Sequence, residues 1–336
     1  MKIKNINRHF VLGLASFLFL VSTHNASALT ISPARIEVSG DAGTSITKEI
    51  TLSSDSKLAD ETFYVTYSNF EADGETGSPK FVEPKGDIGT WMTSEKIISL
   101  KPNESKKVSF TIAIPKDAYS GGHYGAIFFG NNPGDAGQVS VGAKTGTIIL
   151  LTVNGSVVEA GGLSSFGTIG SKKVFNSLPV SFSYKWRNDG NDRVKPAGNI
   201  TVRNMFYMPV TKIEANPVSG NILPHSTRNF ADNLTWSNYP LSKDEVISKS
   251  FFGQASYQWK NFALGMYFAN LDLVAGTTHS TKTAIFFVLP WQLIVIILVI
   301  LIAIFFIGRM LLKAYNKSII EQARMAVKTP DDASHA

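Results

Sequence analysis

The sequence contains no cysteine among its 336 residues. Disulfides and thiolate-bound metals are therefore excluded, and any exported domain of this chain must be stabilised by its hydrophobic core alone. Histidine is scarce as well. Away from the terminal segments only His123, His225 and His279 occur, and no pair has the spacing of an H-E-x-x-H zinc motif. We therefore expect neither a metal site nor a cofactor.

The chain also lacks the G-x-S-x-G elbow that would nominate a nucleophilic serine. One oxygen-rich segment, Asn188-Asp189-Gly190-Asn191-Asp192, has a calcium-loop composition but not the spaced ligands and terminal glutamate of an EF-hand. A hairpin turn in which Gly190 takes a positive φ is the favoured interpretation. We expect that the protein is not an enzyme.

An excess of charge is missing from the middle of the chain. Three of the 32 basic residues precede Leu29 and five follow Gly308, while three of the 26 acidic residues follow Gly308. The region between therefore carries 24 basic and 23 acidic residues. Because nucleic-acid binding requires a basic face, this balance argues against a nucleic-acid partner.

The N-terminal segment has the layout of a cleavable secretory signal. Three basic residues precede an apolar run from Phe10 to Val21, and the small-residue site Ala26-Ser27-Ala28 follows. The run is shorter than the roughly 20 residues that a bilayer span needs. The sequence predicts a signal peptide at residues 1–28 and a mature chain that starts at Leu29.

A second apolar run, from Ala284 to Gly308, contains no charged residue and is long enough to cross a bilayer. The stretch from Thr281 to Leu289, which overlaps the start of this run, is β-branched and aromatic and favours a last strand of the preceding domain. Pro290 suits the first turn of a helix and Trp291 suits a membrane interface. The sequence predicts a transmembrane helix at 290–308.

Basic residues Arg309, Lys313 and Lys317 follow this run directly. Positive flanks stay on the cytoplasmic side of a membrane. We expect a single-pass protein of the plasma membrane, with its N-terminal ectodomain outside the cell. The tail at 309–336 would lie in the cytoplasm and is too short for a catalytic domain.

The region from Leu29 to Leu289 consists of short alternating or apolar stretches separated by Gly, Pro, Asn and Asp, and no convincing amphipathic helix interrupts them. Alternation is clean in Ile46–Leu52 and in Val108–Ile114. The pattern predicts an all-β fold with two tandem Ig-like β-sandwich domains, at 29–155 and 156–289.

The first of these domains resembles the N-terminal domain of the WxL-interacting-protein family of Gram-positive bacterial cell-surface proteins. The resemblance lies mainly in Ser99 to Phe129, which reads SLKPNESKKVSFTIAIPKDAYSGGHYGAIFF. It implies tandem Ig-like domains, one C-terminal transmembrane helix and peptidoglycan binding. The opening of the mature chain, LTISPARIEV, is also similar to the pilus-chaperone fold, which many functions share.

Candidate ligand-binding residues are few. Ser120-Gly121-Gly122-His123-Tyr124-Gly125 is the most distinctive local sequence. Its glycines either admit a ligand or mark a bulge or close crossing, and Tyr119, His123 and Tyr124 would form a polar, aromatic wall. Trp91 lies in an irregular segment and is the tryptophan expected to be exposed.

Other tryptophans are expected in the core. Trp186 and Trp259 fall in stretches that we interpret as alternating strands, and a sandwich needs bulky residues that point inward.

These features favour a membrane-anchored cell-surface protein that binds or scaffolds, presenting its Ig-like domains to cell-wall polymer or to other surface proteins. The alternative is a chaperone-like accessory component of a secretion or pilus system, which captures partner strands at exposed sheet edges.

Overall fold

A computed structural model describes residues 29–57, 59–132, 144–239 and 249–327. The predicted signal peptide and the end of the predicted tail lie outside the described residues. Contacts divide the chain into two compact units, one built mainly from residues up to Val158 and the other mainly from Glu159 onward. Each unit contains an Ig-like β-sandwich, which confirms the all-β prediction.

The first unit folds into two packed sheets. One has the strand order β1-β3-β8-β6, and the other has the order β2-β10-β9-β4-β5 with β7 also beside β4. The strands are β1 (Leu29–Ser32), β2 (Arg35–Gly40), β3 (Ser45–Ser54), β4 (Glu61–Ala72), β5 (Pro79–Val82), β6 (Met92–Ser94), β7 (Ile97–Leu100), β8 (Ser105–Ala113), β9 (Gly121–Gly130) and β10 (Lys144–Val153). A one-turn helix, α1 (Ile88–Trp91), lies between β5 and β6.

The core of this unit follows from strand periodicity. In β8 the alternate residues Val108, Phe110 and Ile112 are buried, while Ser109 and Thr111 between them are more accessible. Successive side chains point to opposite faces of a sheet, so such a stretch buries one row. These residues meet Ile127 and Phe129 of β9 in one hydrophobic cluster.

Helix α1 packs close to β9 because a glycine faces it. A Cβ added at Gly125 would lie 2.7 Å from the Cγ2 of Ile88 and 3.0 Å from the carbonyl oxygen of Ser68. Real Cβ atoms do not approach other atoms so closely. Gly125 therefore lets α1 sit directly on the strand that carries His123.

The second unit also folds into two sheets. One has the order β11-β13-β16 with β17 also beside β13, and the other has the order β12-β19-β18-β14-β15. The strands are β11 (Gly161–Thr168), β12 (Val174–Phe175), β13 (Val180–Asn188), β14 (Ala197–Asn204), β15 (Pro209–Glu214), β16 (Ser226–Phe230), β17 (Thr235–Trp236), β18 (Gly265–Ala275) and β19 (Thr278–Val288). A short 3₁₀ turn occupies Ile169–Ser171.

The predicted core tryptophan Trp186 is 1% exposed, and it lies in β13 among alternate buried residues that include Phe182 and Tyr184. The predicted tight turn after β13 is wrong in its detail. Gly190 is not among the glycines with positive φ, and a longer connection from Asp189 to Pro196 joins β13 to β14.

A helix that the sequence analysis did not predict, α2 (Phe251–Lys260), precedes β18. Its N-cap is Ser250, whose hydroxyl accepts a hydrogen bond from the backbone N–H of Gly253 at 3.1 Å. The expectation of no helix before Leu289 is therefore wrong. The strand prediction for Trp259 is wrong as well, because this residue lies in α2 and is 72% exposed.

The last element is helix α3 (Trp291–Val327), which is separated from the end of β19 by two residues. It is long and apolar enough to cross a membrane. It is also longer than the span predicted at 290–308, since it continues without a break past Gly308 into the predicted tail.

Candidate functional site

Three of the four predicted ligand-binding residues meet at one place in the first unit. Trp91 is the last residue of α1, Tyr119 lies in the loop before β9, and His123 is the third residue of β9. The ring centroids of Trp91 and His123 are 4.6 Å apart, and those of Tyr119 and His123 are 4.1 Å apart. We call this group, together with Asp87, the His123 cluster.

His123 is fully buried and holds the cluster together. Its Nδ1 is 2.6 Å from the Oδ1 of Asp87, and its Nε2 is 2.9 Å from the backbone carbonyl oxygen of Tyr119. Both neighbours are acceptors, so both hydrogen bonds form together only when each ring nitrogen carries a proton.

Asp87 is the residue that sequence reasoning missed. It is the N-cap of α1, and its Oδ1 also accepts a hydrogen bond from the backbone N–H of Ile88 at 2.6 Å. Its Oδ2 lies 3.5 Å from the hydroxyl of Tyr119. An aspartate directly before a short apolar turn is a typical N-cap signal, and that signal was available in the sequence.

The accessible part of the cluster consists of two aromatic side chains and a carboxylate. Tyr119 is 60% exposed, Trp91 is partly exposed, and the Asp87 side chain is 28% exposed. Burial raises the pKa of Tyr119, and the nearby negative charge of Asp87 raises it further. The tyrosine therefore remains a neutral hydroxyl group, which can both donate and accept hydrogen bonds.

Tyr124 does not join the other candidates. As the next residue of β9 after His123, it points to the opposite face of the sheet. There its ring lies 5.8 Å from that of Phe70, and its hydroxyl donates to the Oδ1 of Asp192, a residue of the same unit, at 3.0 Å. Burial raises the pKa of Tyr124.

The glycine-rich segment before Tyr124 serves close packing in this structure. A Cβ added at Gly122 would overlap the hydroxyl oxygen of Tyr124. Gly125 likewise permits the close approach of α1. These contacts agree with the interpretation that the glycines mark a bulge or a close crossing.

The geometry of the cluster does not present His123 as a general base. His123 has no exposed area, and both of its ring nitrogens are engaged within the protein. A general base must reach the proton that it abstracts, and this imidazole does not face solvent. Within the part of the chain that the structure describes, no group of three or more His, Asp or Glu side chains is arranged to hold a metal ion.

Comparisons with known proteins find similar solved structures but no family for this chain. No family model matches the sequence, and neither does any curated protein. Solved structures with a similar arrangement include the class 5 fimbriae chaperone CfaA, at 12% identity and a TM-score of 0.37, over 77% of this chain and 99% of that one.

Two further chaperones are similar to a comparable extent. The Escherichia coli chaperone DraB matches at 10% identity and a TM-score of 0.31, over 78% of this chain and 98% of DraB. The Pseudomonas aeruginosa CupB2 chaperone matches at 6% identity and a TM-score of 0.32, over 76% of this chain and 98% of that one. Likeness at this level concerns the sandwich architecture alone.

Proposed function

We propose that the chain is a membrane-anchored binding protein of the bacterial cell surface, and that it belongs with the WxL-interacting proteins that its first domain resembles. The first sandwich presents the His123 cluster to a ligand outside the cytoplasm. The second sandwich joins the first to the membrane helix. No catalytic step is part of this proposal.

The observation that carries the proposal is the rigid support beneath an exposed aromatic residue. Tyr119 keeps 60% of its surface exposed, although its backbone carbonyl and its ring both contact the buried His123. Large exposed aromatic side chains held in one position lose little conformational freedom on binding, which favours affinity. A residue with only a packing role would not need this exposure.

The proposed ligand is a glycan of the cell wall. The flat faces of Tyr119 and Trp91 suit the apolar face of a sugar ring, and the Asp87 carboxylate can accept hydrogen bonds from sugar hydroxyl groups. The resemblance to the WxL-interacting proteins supports the same class of ligand.

The orientation in the membrane is part of the proposal. The A-x-A site before Leu29 and the basic residues after Gly308 both support an orientation with the sandwiches outside the cell. Helix α3 supplies the anchor, since it is long and apolar enough to span a bilayer.

A binding measurement with full-length protein in lipid nanodiscs tests the site. Isolated cell walls are offered to the native protein and to the Tyr119→Ala variant. Loss of an aromatic side chain at the centre of an interface typically costs about 2 kcal/mol or more, which is at least a 10-fold drop in affinity.

The matched control is Tyr239→Ala, because Tyr239 is 62% exposed and lies in the second unit. This variant should bind like the native protein. Undiminished wall binding by Tyr119→Ala would refute the placement of the site. Retention of the native protein by membrane proteins but not by wall polymer would refute the glycan.

A second candidate function, capture of a partner strand, is favoured by the edge of the first sandwich. In the described residues β2 pairs with β10 alone. The carbonyl oxygens of Ala34 and Gly40 accept hydrogen bonds from the backbone N–H groups of Ile148 and Asn154, at 3.0 and 2.9 Å. Because strand residues alternate, the backbone groups of Ser39 face away from β10, on the side where a further strand could be added.

The variant Ser39→Pro separates the two candidates. Proline removes an outward N–H group and leaves the bonds to β10 intact. If strand capture is the function, this variant loses its partner while Tyr119→Ala keeps it. Glycan binding at the His123 cluster predicts the reverse.

A further inference from the structure

One end of the second sandwich carries a concentration of exposed apolar side chains. The tip of the β14–β15 hairpin is Met205-Phe206-Tyr207-Met208, and these four residues are 55, 74, 62 and 55% exposed. Soluble surfaces rarely expose contiguous apolar patches without an interaction to cover them.

The turn itself is well ordered by polar contacts. The side-chain oxygen of Asn204 accepts hydrogen bonds from the backbone N–H groups of Phe206 and Met208, at 3.0 and 3.1 Å. The N–H of Tyr207 donates to the carbonyl oxygen of Asn204 at 2.9 Å. The apolar side chains are thus projected outward from a fixed backbone.

Strand register brings this tip to the end of the sheet from which helix α3 leaves. Asn204, the last residue of β14, pairs with Tyr267 of β18. Gly265, two residues earlier in β18, pairs with Val288, the last residue of β19. The hairpin tip, the start of β18 and the start of α3 therefore share one end of the sheet.

Helix α2 adds aromatic residues at the same end, and it is attached to α3. The side chains of Gln258 and Gln292 are both buried and hydrogen-bond to each other. The rings of Phe251 and Trp291 pack edge to face with centroids 5.8 Å apart. The first turn of α3 is thereby held against the second sandwich.

The outer face of α2 is apolar. Phe252 and Trp259 are 76 and 72% exposed. They are seven residues apart, so they lie on one side of the helix. They are about 40–60° around the helix from the packed Ala255 and about 100–120° from the packed Gln258. Lys260 is exposed directly beside Trp259, and a basic residue next to an aromatic one suits a lipid headgroup region.

The length of the apolar part of α3 decides how close the bilayer lies. The 18 residues from Trp291 to Gly308 are uncharged, and as a helix they span about 27 Å. The hydrocarbon layer is about 30 Å thick. The helix thus has no spare turn that would raise the sandwich above the membrane surface.

We propose that this end of the second sandwich, formed by the β14–β15 tip and the outer face of α2, is seated in the headgroup region of the bilayer that α3 crosses. The inference rests on the membrane anchor of the proposed function. It adds a lipid-contacting surface that fixes the second sandwich at the membrane instead of leaving it on a loose tether.

The absence of cysteine makes a direct test simple, because single cysteines can be introduced and labelled without removing any native one. Full-length variants Phe206→Cys and Trp259→Cys receive a nitroxide spin label and are reconstituted in phosphatidylglycerol-containing vesicles. Relaxation by oxygen, which concentrates in lipid, is compared with relaxation by a water-soluble nickel complex.

Two further labels serve as controls. Leu298→Cys, in the middle of the apolar run, reports the anchor. Val274→Cys reports the opposite end of the same sheet, since Val274 is 47% exposed and lies nine residues along β18 from Gly265, a distance of about 30 Å.

We expect labels at 206 and 259 to have a several-fold higher ratio of oxygen to nickel accessibility than the label at 274, and a lower ratio than the label at 298. If 298 is in lipid but 206 and 259 match 274, or are shielded from both reagents, the lipid-contacting surface is refuted while the anchor stands. If 298 is also in water, the anchor and the inference both fail.

Discussion

Removing the imidazole of His123 tests whether the cluster is held together from within. The His123→Ala variant loses a hydrogen bond to the Asp87 carboxylate at 2.6 Å, a second bond to a backbone carbonyl at 2.9 Å, and the packing of a fully buried ring. A hydrogen bond to a charged group contributes about 1.5–3 kcal/mol, and an unfilled space in the core adds to the loss. We expect a destabilisation of about 3 kcal/mol in total.

This loss should be visible as a shift in the melting temperature of the first unit. A domain of 100 to 150 residues shifts by about 3–5 °C for each kcal/mol, so His123→Ala should lower Tm by about 10 °C. Differential scanning calorimetry of the full-length protein in detergent measures this shift.

The chain offers a matched control in a second histidine–aspartate pair. His279 Nε2 lies 2.7 Å from Asp272 Oδ1, but both side chains are more than half exposed. Exposed ion pairs contribute at most about 1 kcal/mol, so His279→Ala should change Tm by less than about 5 °C.

A double-mutant cycle then isolates the pair itself. Asp87→Ala, His123→Ala and the double variant should show a coupling energy of about 2 kcal/mol, because a buried charge-assisted bond is lost only once. Additive effects, or a Tm change for His123→Ala as small as that of His279→Ala, would refute the role of His123 as the support of the cluster.

Two further substitutions test packing that the account depends on. Gly125→Ala places a methyl group 2.7 Å from Ile88 and should lower the free energy of unfolding, measured by urea titration, by about 1–3 kcal/mol. The control Gly167→Ala, whose new methyl group would have nothing within 4 Å, should change this free energy by less than about 0.5 kcal/mol. Equal effects of the two substitutions would contradict the argument that Gly125 permits close packing of α1. Gln258→Leu should destabilise the junction of α2 and α3 by about 1–3 kcal/mol by leaving Gln292 buried without its partner, and replacing both glutamines by leucine should restore most of the loss. If the double variant is less stable than the single one, the hydrogen bond is not what the junction depends on.

Much of the fold was predictable because strands leave a simple record in the sequence. Val108–Ile114 alternates in the sequence and alternates in burial, and the same holds for the stretch around Trp186. Helix α3 was predictable for an equally simple reason, since its long uncharged apolar run is visible directly in the sequence.

Helix α2 was missed because both of its sides carry apolar residues. Ala255 is buried and Phe251 packs against Trp291, while Phe252 and Trp259 point outward. The helical period of apolar residues that identifies a soluble amphipathic helix is blurred in such a sequence. An apolar outer face is what a helix at a membrane surface requires, so the same property that hid the helix also carries the inference about lipid.

The candidate site was predictable in part. Trp91 and the segment from Tyr119 to Tyr124 were nominated for their composition, but only tertiary packing brings Trp91 to His123. Period-2 alternation separates His123 from Tyr124, and that separation becomes definite only once the strand is known to include both. The contribution of Asp87 depends on a contact with a residue 36 positions away, which no local pattern reveals.

Hydroxyl-radical footprinting of the protein in its native envelope tests the central claim most directly. Tyr119 and Tyr239 are similarly exposed, at 60 and 62%, so both should be oxidised to a similar extent in purified nanodiscs. In intact envelopes the account predicts that oxidation of Tyr119 falls several-fold while that of Tyr239 stays the same, and that lysozyme digestion of the wall restores the oxidation of Tyr119. Equal oxidation of Tyr119 in envelopes and nanodiscs would contradict the claim that the His123 cluster is a ligand-binding surface.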